Sequence, residues 1–120
     1  MSWEDLKYFK REEFGCRCGC NKNHFRLETA QKLDLAREIS AVPYILTSAY
    51  RCPLHNTNIG SKSDVHPGGY AADVLAKDSR TRAKVVQGLM AAGFTRIGID
   101  REFVHADDDP SKHPEVIWLY

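Results

Sequence analysis

The segment His66-Pro67-Gly68-Gly69-Tyr70-Ala71-Ala72-Asp73, followed after a long interval by Glu102-Phe103-Val104-His105, constrains this chain more than any other feature. Two imidazoles and a carboxylate make a set of three zinc donors, and a site with three protein ligands keeps one position open for water. Structural zinc sites are closed by four ligands, often cysteines, so His66, Asp73 and His105 point to an open site that does chemistry. For the three to meet, the strand carrying Asp73 must lie beside the one carrying His105, with both side chains on the same face of the sheet. Glu102, three residues before the last ligand, is the expected general base, and Asp100 is its fallback. Asp107 either holds the second nitrogen of His105 or belongs to a solvated acidic turn with Asp108 and Asp109.

Hydrophobic periodicity supplies the scaffold. Ala30, Leu33, Ala36 and Ile39 recur every three residues, which predicts an amphipathic helix over about 28–40. Ser2 followed by Asp5 predicts a short capped helix through about Phe9, and residues 15–21 read as a loop. Residues 44–50 have the β-branched and aromatic content of a strand, and the prolines and glycines of 51–69 predict a long ordered loop. Strands are expected over 70–75, 94–99, 103–106 and 116–120, and a helix capped by Asp78 or Ser79 is expected to run to about Ala92, where Gly93 stops it. Short strands with a long helix on each side predict an α+β domain with a small, mostly antiparallel sheet flanked by helices.

A length of 120 residues suits one domain, with no internal repeat and no linker to divide it, so substrate contacts must come from the catalytic domain itself. Seventeen basic against sixteen acidic side chains leave a net charge of +1, too little to hold nucleic acid or an anionic membrane. No apolar run approaches the ~20 residues that span a bilayer, which argues against membrane insertion. The start Met1-Ser2-Trp3-Glu4-Asp5 lacks the basic and apolar regions of a secretory signal, so a cytoplasmic location is expected.

His66, Gly69, Ala71 and Asp73 fill a His-x-x-Gly-x-Ala-x-Asp signature, Glu102 precedes His105, and Asp107 completes a His-x-Asp pair. Upstream stands Ser48-Ala49-Tyr50-Arg51-Cys52-Pro53. In these residues, and in their order, the chain resembles the zinc D-Ala-D-Ala carboxypeptidases and L-alanyl-D-glutamate endopeptidases of bacterial cell walls, phage endolysins among them. The resemblance implies a hedgehog-like DD-peptidase fold, a Zn2+ cofactor, and peptidoglycan stem peptides as partners of a monomeric hydrolase. It also implies that Arg51 binds substrate and the transition state. An endolysin-type endopeptidase is the reading that suits a chain without an export signal, for it can wait in a host cytoplasm. The alternatives are a D-Ala-D-Ala carboxypeptidase and a zinc-containing domain that binds wall peptides without cutting them. Relatives often carry a serine two residues before the first histidine, where this chain has Asp64, with Ser63 one position earlier.

His24, His55 and His113 read as ordinary core or surface histidines, and Trp118 and Tyr120 as core or cleft wall. Cys16, Cys18 and Cys20 alternate in a Cys-x-Cys-x-Cys pattern that departs from the two-to-four-residue gap of paired zinc cysteines. Structural packing around Cys52 is the preferred reading of these thiols. A second zinc, held by Cys16, Cys18, Cys20 or His24, and disulfides formed after release are the alternatives.

Overall fold

The computed structural model describes residues 2–120. Its elements run α1 (Leu27–Ser40), β1 (Leu46–Ser48), α2 (Pro53–Asn58), β2 (Ala71–Leu75), α3 (Ser79–Ala91), β3 (Arg96–Ile99), β4 (Phe103–Asp107) and β5 (Val116–Leu119), after two 3₁₀ turns at Trp3–Asp5 and Arg11–Phe14. The strands form one sheet in the order β1-β2-β4-β3-β5. All neighbours are antiparallel except β3 and β5, which run parallel. This is the expected α+β architecture with a mostly antiparallel sheet.

Local chemistry sets the element ends. Asp78 caps α3 by accepting a hydrogen bond from the Thr81 amide at 2.8 Å, and Gly93, at φ +108°, supplies the backbone conformation that stops it. α1 ends on Ala41 in the left-handed region (φ 57°), and Pro43 just beyond bars a further turn. The helix expected from Ser2 to Phe9 is only the first 3₁₀ turn, because the amides of Lys7 and Tyr8 donate instead to the Asp34 carboxylate on α1, at 3.0 and 2.8 Å. The loop expected over 51–69 contains α2. Pro53 occupies the start of that helix, where its missing N–H leaves nothing unsatisfied and its fixed φ suits the first turn.

Helices α1 and α3 pack on each other and on one face of the sheet, rather than one on each side of it. Leu33 and Ala36 of α1, Val85 and Leu89 of α3, and Val74, Ile97, Val104 and Ala106 of the strands share one buried cluster. Gly88 lets the two helices meet, since a Cβ there would collide with Ser40 Oγ and with the Ala36 carbonyl oxygen. Phe14 stacks on Phe25 at 4.5 Å and closes the end of the core next to the N-terminal segment. With one face of the sheet committed to the helices, the alternating side chains of β2 and β4 turn Asp73, His105 and Asp107 to the other. Among the described residues no helix is long and apolar enough to cross a membrane.

Candidate active site

Strand register brings the motif residues together. Asp73 on β2 lies directly opposite His105 on β4, and Ala71 lies opposite Asp107. Asp73 Oδ1 is 2.9 Å from His105 Nδ1. His66 arrives from the turn before β2, which bends at Gly69 (φ +79°); a Cβ at Gly69 would strike the His24 carbonyl, so glycine is required there. The His66 Nδ1–H donates to the Ala49 carbonyl at 2.8 Å, which leaves the Nε2 lone pair facing Asp73 Oδ2 at 3.6 Å. All three side chains are buried, and one donor atom from each lies within 4.8 Å of the others.

The donors fit a small divalent ion. A tetrahedral ion with ligands at about 2.1 Å sets neighbouring donors about 3.4 Å apart, close to the 2.9 and 3.6 Å found between Asp73 and the two rings. His66 is ready for such a role as a neutral ring: burial above all holds its pKa down to about 4, with Arg51 and His105 adding to the depression and Asp73 opposing it. His105 differs. Burial disfavours its charge, but hydrogen bonds from its two nitrogens to Asp107 and Asp73, and the charges of those acids, outweigh burial and raise its pKa. In that protonated ring the Nδ1 hydrogen occupies the place where a metal ion would sit.

Asp107 is fully buried and both of its oxygens are engaged. Oδ2 accepts from His105 Nε2 at 2.7 Å and Oδ1 accepts from Arg96 Nε at 2.7 Å. Burial pushes its pKa up, yet the His105 and Arg96 contacts prevail and hold it below the usual carboxylate value. This is the arrangement expected of a carboxylate that orients a ligating histidine, and it places Asp107 inside the site rather than in a solvated turn. Arg96 also donates to the His113 carbonyl at 2.7 Å, and its guanidinium lies over the Trp118 ring.

The three candidate ligands border a cavity of about 410 Å³ whose walls include Arg51, Phe103, Trp118 and Tyr120. Arg51 is held there by Asn56 Oδ1 at 2.8 Å and Ser48 Oγ at 3.0 Å. Sequence reasoning did not single out Asn56 or Arg96. Asn56 stands on α2, a helix hidden by the prolines and glycines of 51–69; Arg96 stands in register with Asp107 across β3 and β4, which pairing of those strands shows.

Glu102 is not brought to this cavity. It is exposed at the turn between β3 and β4 and borders a separate depression with Arg82, Asp100 and Leu119. Glu102 lies in the bend just before β4 begins, so the alternation that turns Phe103, His105 and Asp107 to the cavity does not fix its side chain there. Asp100, the fallback base, accepts from the Glu102 amide at 2.9 Å and closes the same turn. His24 stands edge-on to Tyr50 and does not join His66, Asp73 and His105.

No curated protein matches the chain. A family model described as Peptidase M15 matches residues 7–107, which takes in β1, Arg51, both candidate histidines, Asp73 and Asp107. The chain therefore belongs to the peptidase M15 family, whose members are metal-dependent peptidases.

Proposed function

We propose that this chain is a zinc-dependent peptidase that cuts an amide bond in the stem peptides of peptidoglycan, most simply the L-alanyl-D-glutamate bond. The observation that carries the reading is the convergence of His66, Asp73 and His105 on one wall of a cavity in a member of a metallopeptidase family. His66 Nε2, an Asp73 oxygen and His105 Nδ1 would hold the ion. When bound, zinc supplies Lewis acidity and brings the pKa of water toward neutrality.

The protein's own groups do the rest. Asp107, braced by Arg96, keeps the His105 Nε2 proton in place and the ring fixed in one orientation. Arg51 offers a planar fork of donors in the cavity, suited to a substrate carboxylate or to the oxygen on which charge develops. Phe103, Trp118 and Tyr120 give the apolar wall against which the alanyl methyls of a stem peptide can rest. Among the described residues the carboxylates bordering the cavity are Asp73, a candidate ligand, and Asp107, whose two oxygens are both engaged, so the general-base role falls to Glu102, reaching in from the turn just before Phe103 of the cavity wall.

Digestion of purified peptidoglycan, with fragments read by mass spectrometry, tests the proposal. New alanyl and glutamyl termini that vanish with chelator and return with zinc are the expected result. Release of terminal D-alanine alone would move the activity to the carboxypeptidase class. Binding of wall fragments by a zinc-loaded chain with no cleavage would overturn the enzyme reading.

A further inference from the structure

Apart from the cavity residues there is a second group of side chains that could hold a metal ion. Cys16, Cys18 and Cys20, from the loop between the second 3₁₀ turn and α1, converge with Cys52, the residue that caps α2. All four are free thiols, and their sulfurs lie within 4.8 Å of one another. Cys16 Sγ is 3.4 Å from Cys18 Sγ, and Cys18 Sγ is 3.6 Å from Cys52 Sγ. A zinc ion bound by four sulfurs at about 2.3 Å sets those sulfurs about 3.8 Å apart, whereas a disulfide draws one pair to about 2.05 Å and leaves the other two outside it. The distances of 3.4 and 3.6 Å are close to the edge of such a tetrahedron and far longer than a disulfide, and all four sulfurs stay within 4.8 Å of one another.

The surroundings of the sulfurs agree. Three backbone amides donate to them: Cys52 N to Cys16 Sγ at 3.3 Å, Lys22 N to Cys20 Sγ at 3.4 Å, and His55 N to Cys52 Sγ at 3.4 Å. Amides aimed at sulfur stabilise thiolates and fix their orientation, as second-layer contacts do around a metal. The loop turns sharply enough to aim three alternate side chains at one point because Gly19 and Asn21 adopt positive φ (87° and 61°) and the Cys16 amide closes on the Lys22 carbonyl at 3.0 Å. Four cysteine sulfurs gathered this closely can hold one soft cation as thiolates, and a closed tetrahedron of sulfur donors suits zinc.

We infer that Cys16, Cys18, Cys20 and Cys52 form a closed tetrathiolate zinc site, separate from the His66-Asp73-His105 group. Its role is to clamp the N-terminal loop onto the segment that delivers Arg51, since Cys52 directly follows Arg51 and directly precedes Pro53 of α2. The site stands whether or not the peptidase reading does.

The test uses His66→Ala, which disables the other group and leaves all four thiols. Purified under reducing conditions, that variant is expected to retain one zinc per chain, with its thiols protected from a thiol-titrating reagent until the zinc is stripped. Exchange with cobalt(II) is expected to give an intense sulfur-to-metal charge-transfer band in the near ultraviolet, together with the visible bands of a tetrahedral site. Adding Cys18→Ser, at the exposed corner of the group, is expected to abolish or greatly weaken that band. A cobalt-loaded His66→Ala chain without the band, four freely titrating thiols in the native zinc-supplemented protein, or a mass showing a disulfide under reducing purification would each overturn the inference, even if the serine variant failed to fold.

Discussion

His105 is gripped from both sides, by Asp73 at Nδ1 and by Asp107 at Nε2, while His66 is buried with only a carbonyl on its Nδ1. Their proton affinities therefore part, raised for His105 and lowered to about 4 for His66 from an ordinary 6.5. The sign for metal binding follows. As pH falls through the elevated pKa of His105, a proton claims Nδ1 and metal affinity drops, whereas His66 stays neutral and competes with no metal until pH nears 4. At pH 5.5 two ordinary histidines would give up nearly two protons on metal binding; here about one is expected. Calorimetric titration of the metal-free chain in buffers of different ionisation enthalpy counts them, and a count near two would show the two rings to be equivalent. The same geometry gives Asp107 a measurable weight. Asp107→Asn keeps the shape but leaves Arg96 and His105 without their counter-charge, so metal affinity should fall by about 10–100-fold, with a loss of stability of about 3–5 kcal/mol as a buried ion pair is broken. Competition titration and thermal melting read the two effects, and a variant that binds metal as tightly as the parent would remove Asp107 from the site.

At the scale of elements, register decides what the motif spacing means. A slip of one residue between β2 and β4 would send Asp73 or His105 into the helix-covered face, and the observed pairing of Asp73 with His105 avoids it. Glu102 precedes the first residue of β4, so register does not govern it, and it stands at the turn beside the cavity. With Glu102 as the proposed general base, Glu102→Ala should keep its metal and its stability within about 0.5 kcal/mol, as for other exposed positions, while turnover falls by about 100-fold or more; turnover close to the parent's would place the base elsewhere. Much of this architecture was legible in the chain itself. The three-residue recurrence from Ala30 to Ile39 and the Asp78 cap marked α1 and α3, and the motif spacing named three residues that the sheet does unite. What escaped had physical causes. Pro53 reads as a helix breaker until its place in the first turn is known, and the N-terminal segment lost its helix to Asp34, a partner on α1 that no local pattern announces. Cys52 is remote in sequence from the other three cysteines, so spacing alone could not show that all four sulfurs meet.

Across the whole molecule, stability and chemistry occupy opposite faces of one sheet. The buried apolar cluster runs from Phe9, Phe14 and Phe25 through Leu33, Tyr44, Val85 and Leu89 to Val104, and none of His66, Asp73 or His105 belongs to it. The fold therefore draws its main driving force from burial that does not involve the site. A net charge of +1 gives the molecule no broad electrostatic field. From this separation follows the expected behaviour of His66→Ala. Truncating the ring removes one donor from the cavity and frees the Ala49 carbonyl of a buried hydrogen bond, a loss of about 1–3 kcal/mol. The aromatic and aliphatic core is left intact, as is the thiol cluster. The variant should retain the parent's far-ultraviolet dichroism, melt at a moderately lower temperature, and release no fragments from peptidoglycan at any zinc concentration. Loss of secondary structure on this single change would instead make the histidine-aspartate group a structural staple, and the division of labour between the two faces would fail with it.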